Sequence, residues 1–271
     1  MDIAGKTALV LGSIKGIGKG IALALCRAGA RVALNYCDWE EELASLQGDL
    51  AAAGGDHLLL KTDLRQVGDA DPMVRAVIKR FGRLDILINN IERGGWPVVH
   101  GTYTCEQWDL EIETTLRAKR WVFAAALPHL KASGDGAVIN LSSIAALVGR
   151  AGPAAPIFND GYAAASRAVS LLTETWAREA APEVRVNEIM LGFVDTRHGP
   201  GTRGWGLLRD SEKQAILDHT LLGRTGTIDD VVKAAAFILR DAAFMTGSVL
   251  RLDGGYVLGG ERVPPMPKGV L

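Results

Sequence analysis

Apolar stretches of strand length alternate along this chain with longer stretches of helical period. Thr7–Leu11 reads as a strand; a glycine turn separates it from a helical pattern over about Ile17–Arg27, closed by Gly29. The alternation continues with strand Arg31–Tyr36, helix Trp39–Ala53 ended by Gly54 and Gly55, strand His57–Lys61, and helix Ala70–Phe81 stopped by Gly82. Leu84–Ile88 has the character of a parallel strand covered on both faces. A long helix over Glu106–Ala132 follows, then strand Ala137–Leu141 and a helix from Gly161 or Tyr162 to about Ala180. Strand Val184–Ile189, helix Ile228–Leu239 and strand Ser248–Leu252 complete the series. Such a series predicts an α/β fold: a Rossmann-type, doubly wound parallel sheet of about seven strands with helices on both faces.

Two segments interrupt the rhythm. Gly149–Asp160, rich in Gly, Ala and Pro, lies between Ser143 and Tyr162. Phe193–Arg224, with one short helix around Arg209–His219, reads as a substrate lid or, alternatively, a solvated insertion. The expected organisation is one domain over 1–258 and a proline-rich tail over 259–271. Val263–Lys268 in that tail can be neither helix nor central strand.

Composition narrows the function. The 271 residues are 48% hydrophobic, ample for one core, and 30 Lys plus Arg almost balance 31 Asp plus Glu. No overall field therefore attracts nucleic acid or an anionic membrane. No apolar run approaches the roughly 20 residues needed to span a bilayer, and the start lacks the features of a signal peptide. A cytoplasmic location is expected. Cys26, Cys37 and Cys105 are too few and too widely spaced for a disulfide framework, and no metal site is expected.

The candidate chemistry begins at Leu9-Val10-Leu11-Gly12-Ser13-Ile14-Lys15-Gly16-Ile17-Gly18. Gly12 permits a tight turn, Gly16 lets the backbone approach a pyrophosphate, and Gly18 lets the helix pack closely while its N-terminus presents free N–H groups to phosphate. This turn resembles the glycine motif of the short-chain dehydrogenase/reductase family. Thr62-Asp63-Leu64, Leu87-Ile88-Asn89-Asn90, Asn140-Leu141-Ser142-Ser143, Arg185-Val186-Asn187, Gly192-Phe193-Val194-Asp195-Thr196 and Asp253-Gly254-Gly255 are similar to further family segments, in family order.

The resemblance implies a nicotinamide dinucleotide held by Gly12, Ser13, Lys15, Gly16, Ile17, Gly18, Tyr36, Asp63, Leu64, Asn89, Gly192, Val194 and Thr196. NADP is preferred over NAD because Lys15 sits where a cation can pair with a 2′-phosphate and no acid ends the second strand. Lys15 as a solvated loop cation is the alternative.

The resemblance further implies hydride transfer between the nicotinamide and a small carbonyl or alcohol substrate. Tyr162 would be the proton donor and Ser143 the hydroxyl that polarises the carbonyl. Ser143 lies 19 residues before Tyr162, a longer gap than the family's usual one. In the same register Ser166 stands where the family has a lysine, and Thr115 where it has an asparagine. Ile91-Glu92 replaces a small Ala-Gly pair, with Glu92 near the cofactor channel. A free tyrosine, with a pKa of about 10, is only about 0.1% phenolate at pH 7, so reduction is the favoured direction. Lys119 or Arg167 is a substitute cation or, more commonly for such residues, a surface or interface charge. Arg197, His198 and Arg203, with Trp205, are candidates to hold an acidic or acyl-thioester substrate of the kind 3-oxoacyl carrier-protein reductases use. A non-catalytic dinucleotide sensor or assembly subunit is the competing function. Homo-oligomerisation, as a dimer or tetramer, is implied, with Trp121, Phe123 and Trp176 as interface or core residues.

Overall fold

The computed structural model describes residues 1–92, 102–196, 205–261, 263–266 and 269. Seven strands form one parallel sheet: β1 (Thr7–Val10), β2 (Arg31–Tyr36), β3 (His57–Lys61), β4 (Ile86–Asn89), β5 (Gly136–Ser143), β6 (Val184–Leu191) and β7 (Val249–Leu252), in the order β3-β2-β1-β4-β5-β6-β7. The reversal of strand order falls between β1 and β4, where doubly wound sheets open their ligand crevice at the carboxyl ends of the strands. Both faces of β1 and β4 are fully covered, which explains why their sequences lack alternation.

The helices are α1 (Gly16–Arg27), α2 (Leu43–Ala53), α3 (Ala70–Phe81), α4 (Cys105–Glu111), α5 (Ala118–Ala132), α6 (Ala145–Val148), α7 (Asp160–Ala180), α8 (Asp210–His219) and α9 (Ile228–Arg240). One apolar cluster packs α1, α2 and α9 on one face of the sheet; a second packs α3, α5 and α7 on the other. Phe123 and Trp176 belong to this second cluster, their rings stacked at 4.4 Å, so they are core residues; Trp121 is exposed.

The long helix expected over Glu106–Ala132 is divided. A π turn (Ile112–Arg117) joins α4 to α5. Within it the Thr114 hydroxyl donates to the Leu110 carbonyl at 2.7 Å, a local bond that competes with the regular ladder. Thr114, Thr115 and Lys119 are all buried around this turn. No helix among the described residues is long and apolar enough to cross a membrane.

Candidate active site

β1 delivers the chain into the glycine turn. Gly12 (φ 57°) and Gly16 (φ 60°) occupy the left-handed region, and a Cβ on Gly18 would lie 2.3 Å from the Gly12 carbonyl oxygen. Open space stands where a Cβ on Gly16 would be. α1 starts there with no side-chain cap, so its first N–H groups remain for an anion. These features fit a dinucleotide pyrophosphate.

Two asparagines that sequence reasoning left unassigned hold the turn. Asn35, buried near the end of β2, accepts from Ser13 N and Oγ at 2.9 and 3.1 Å through its carbonyl and donates to Thr62 O at 3.1 Å. Asn90 donates to Gly12 O at 3.1 Å.

The other expected cofactor residues divide by environment. Lys15 Nζ lies 2.8 Å from the centroid of the Trp39 ring, a cation–π contact just beyond the end of β2 and the half-buried Tyr36. Arg65 grips the Asp63 carboxylate (Nη2–Oδ2 2.6 Å) and holds its pKa below the usual range. Ile17 and Val194 pack partly buried on the core, and Leu64 is buried within it. Gly192 abuts Asp253 too closely for any side chain, and Thr196 N donates to Val194 O at 2.8 Å. The Asn89 side chain is buried and donates to Asn140 Oδ1 at 2.8 Å, tying β4 to β5.

The structure brings Ser143 and Tyr162 together. Ser143 ends β5, where its Oγ accepts from Ala145 N at 3.1 Å. Tyr162 sits in the first turn of α7, its N–H donating to the capping Asn159 Oδ1 at 2.7 Å. The longer gap between them is taken up by α6 and a short 3₁₀ turn (Gly152–Ala154), which fold back onto Tyr162 in an apolar cluster with Phe158 and Tyr256. Burial, then the charge of Glu92 and a hydrogen bond to it, push the Tyr162 pKa well up; the hydrogen bond with Ser143 pulls the other way. Tyr162 is thus a protonated phenol bonded to both Ser143 and Glu92.

Tyr103 backs this helix start: its hydroxyl accepts from Gly161 N at 3.2 Å and lies 2.3 Å from where a Gly161 Cβ would be. Gly161→Ala is expected to cost about 1–2 kcal/mol in urea denaturation, with part recovered when Tyr103→Phe is added.

Thr115, Ser166 and Lys119 are fully buried, and Thr115 Oγ1, Ser166 Oγ and Lys119 Nζ have no hydrogen-bond partner among the described residues. Lys119 is therefore neither a surface nor an interface charge. The π turn and α5 direct it inward, and burial lowers its pKa to about 8 against the opposing pull of Glu92 and Glu188. Arg167, by contrast, is exposed.

Glu188, missed in the sequence, is fully buried on β6 and accepts from Ser142 and Ser170, the latter at 2.9 Å. Burial raises its pKa, while these bonds and Lys119 lower it. The available signal was a glutamate inside an apolar strand opposite a lysine inside an apolar helix face. Arg197, His198 and Arg203 lie outside the described residues. Trp205 is described, its ring 6.3 Å from that of Phe193, which stacks on Phe158 at 5.5 Å beside Tyr162.

A family model described as enoyl-(acyl carrier protein) reductase matches residues 12–257. A 3-oxoacyl-[acyl-carrier-protein] reductase, FabG, of Staphylococcus aureus is 31% identical over 257 residues, covering 93% of this chain and 98% of that protein. The chain belongs to the short-chain dehydrogenases/reductases.

Within this family of NAD(P)-dependent oxidoreductases, other relatives differ in substrate. A 1,6-dihydroxycyclohexa-2,4-diene-1-carboxylate dehydrogenase of Pseudomonas putida is 34% identical, covering 93% of this chain and 92% of that protein. Among solved structures, a short-chain dehydrogenase/reductase mutant of Serratia marcescens aligns with a TM-score of 0.82 at 26% identity, covering 95% of this chain and 100% of the other. The NADPH-dependent 3-quinuclidinone reductase of Rhodotorula rubra aligns at 0.80 and 28% identity, covering 95% and 93%. In this short-chain dehydrogenase/reductase Ser143 and Tyr162 lie together, while Thr115 and Ser166 are buried with no hydrogen-bond partner for their hydroxyls among the described residues.

Proposed function

We propose that the protein reduces a small ketone to a secondary alcohol with NADPH. The observation that carries this reading is the buried pair of hydroxyls, Ser143 and Tyr162, at the carboxyl end of the sheet that also forms the glycine turn. Reduced nicotinamide, when bound, supplies the hydride. Gly12, Ser13, Gly16, Ile17 and Gly18 would hold its pyrophosphate, and Gly192, Val194 and Thr196 its nicotinamide end. Ser143 polarises the carbonyl oxygen, and Tyr162, which its surroundings keep protonated, donates the proton. An acid held in its neutral form favours reduction over alcohol oxidation. The rings of Phe193 and Trp205 near Tyr162 favour a substrate with an apolar flank. The exposed Trp108, Trp121 and Leu171, on α4, α5 and α7, support a homo-oligomer built on these helices.

Lys15 supports NADPH over NADH, because its contact with Trp39 holds a cation near the end of β2. Fluorescence titration with both dinucleotides tests the reading. NADPH is expected to bind more tightly, and Lys15→Ala to weaken it about tenfold, a loss of about 1.4 kcal/mol, with little change for NADH. Failure of both to bind would sink the enzymatic reading; binding without turnover on any of a panel of ketones and 3-oxoacyl thioesters would favour a sensor.

A further inference from the structure

Asn159, the cap of α7, is itself held by a buried acid. Its side-chain nitrogen donates to Glu111 Oε1 at 3.1 Å, while its side-chain oxygen accepts from the Tyr162 backbone N–H at 2.7 Å. Glu111 is the last residue of α4, fully buried, and the π turn begins at the next residue. α4 lies close against the start of α7: a Cβ on Gly161 would stand 3.2 Å from the Trp108 ring and 3.4 Å from Glu111 Cβ. An enclosed glutamate is unfavourable beside an apolar side chain of similar size unless its oxygens are bonded. Here one of its bonds goes to the residue that caps the helix carrying Tyr162.

We propose that Glu111 is a positioning residue for Tyr162, acting through Asn159. This deepens the ketone-reductase reading and rests on it. An asparagine side chain caps in only one of its two orientations, with its oxygen toward the helix N–H; turned over, it sets its NH₂ group against that N–H. A carboxylate accepts and does not donate, so Glu111 takes the NH₂ end of Asn159 and leaves the oxygen for Tyr162. The capped N–H belongs to the same residue whose hydroxyl gives up the proton, so a shift of that backbone carries the hydroxyl with it. Ser143 does not follow, because the end of β5 places it separately. A misplacement of about 1 Å between reacting groups can cost about 100-fold in rate. Two other contacts secure this turn, the Gly161 N–H to the Tyr103 hydroxyl at 3.2 Å and the Phe158 ring beside that of Tyr162. Neither fixes which way the Asn159 amide faces. Glu111 does not touch the reacting atoms.

The test reads ketone turnover, NADPH affinity and amide hydrogen exchange at Tyr162 in a small set of variants. Glu111→Leu fills similar space without an acceptor. It is expected to lower turnover about tenfold with the NADPH dissociation constant unchanged, and to speed exchange of the Tyr162 N–H about tenfold. Glu111→Gln keeps an acceptor oxygen in the same place and should stay close to the wild type in all three. Asn159→Asp keeps the cap but sets two carboxylates against each other, and is expected to lose turnover as Glu111→Leu does. Adding Glu111→Gln to Asn159→Asp should restore it, with donor and acceptor exchanged across the same contact. This pair decides the question even where Glu111→Leu does not fold. Wild-type turnover and exchange in Glu111→Leu would overturn the proposal, and so would a double variant no better than Asn159→Asp alone. Loss of NADPH affinity as the main effect of Glu111→Leu would overturn it too, making Glu111 a general support of the fold. A wild type that reduces no ketone defeats the ketone-reductase reading and this one together, whereas an active wild type whose Tyr162 exchange is unmoved by Glu111→Leu defeats only the positioning role.

Discussion

Tyr162→Phe is expected to lower ketone turnover by about 10³-fold while leaving the fold and NADPH binding intact, followed by the loss of NADPH absorbance with a ketone. The hydroxyl removed, which bonds to both Ser143 and Glu92, is the group that hands the proton to the carbonyl in this reading. Raising the pH will not rescue the variant, and will not help the wild type through Tyr162 either. Its pKa is raised, so the phenol keeps its proton through the neutral range and beyond. The ring itself is expected to stay put, because its place is set by packing against Phe158 and by the Asn159 cap, which bonds the backbone. A drop of less than about tenfold, 1.4 kcal/mol of transition-state stabilisation, would remove Tyr162 from the proton path.

Gly18→Ala should have an effect of comparable size on a different property. The new methyl would meet Gly12 O at 2.3 Å and Asn90 Nδ2 at 2.6 Å. Helix α1 and the turn between β1 and α1 cannot both keep their places, and Asn90 would lose its bond to Gly12 O. NADPH affinity is expected to fall more than about 100-fold, equivalent to about 2.7 kcal/mol, and stability by about 1–3 kcal/mol. Fluorescence titration and thermal melting separate the two. A variant that melts normally and binds NADPH as tightly as the wild type would show that the dinucleotide does not lie on this turn.

The sheet was legible in the chain because parallel strands covered on both faces need short apolar runs, as β1 and β4 supply, and because glycines follow α1, α2 and α3. Arg31–Tyr36, His57–Lys61 and Ala70–Phe81 fall where periodicity puts them. The turn, Ser143 and Tyr162 stood out through their resemblance to the family's motifs, even though the gap between Ser143 and Tyr162 is longer than the family's usual one. The π turn was not, since one extra residue in a helix leaves the pattern of apolar positions nearly unchanged. The burial of Lys119, and Glu188 altogether, were hidden for a related reason. A charge in an apolar stretch usually signals a solvated face, and only the packing of α5 and α7 over β6 reveals that both are enclosed. Asn35 was not singled out because a lone asparagine within a strand carries no distinctive pattern, whereas its carbonyl oxygen and amide bond Ser13 and Thr62, just past the ends of β1 and β3.

The segment joining Ser143 to Tyr162 has a practical consequence. Ser143 is placed by the end of β5, ahead of that segment, and Tyr162 by the Asn159 cap at its last residues, where α7 begins. Between them, Arg150 and Ala151 stand in solvent, flanked by Gly149 and Gly152, both at positive φ. A peptide spliced in between Gly149 and Gly152 would extend an exposed tip, with Ser143 on β5 and the Asn159 cap of α7 left unaltered in sequence. The tip is thus a natural graft point for a foreign loop or an affinity tag.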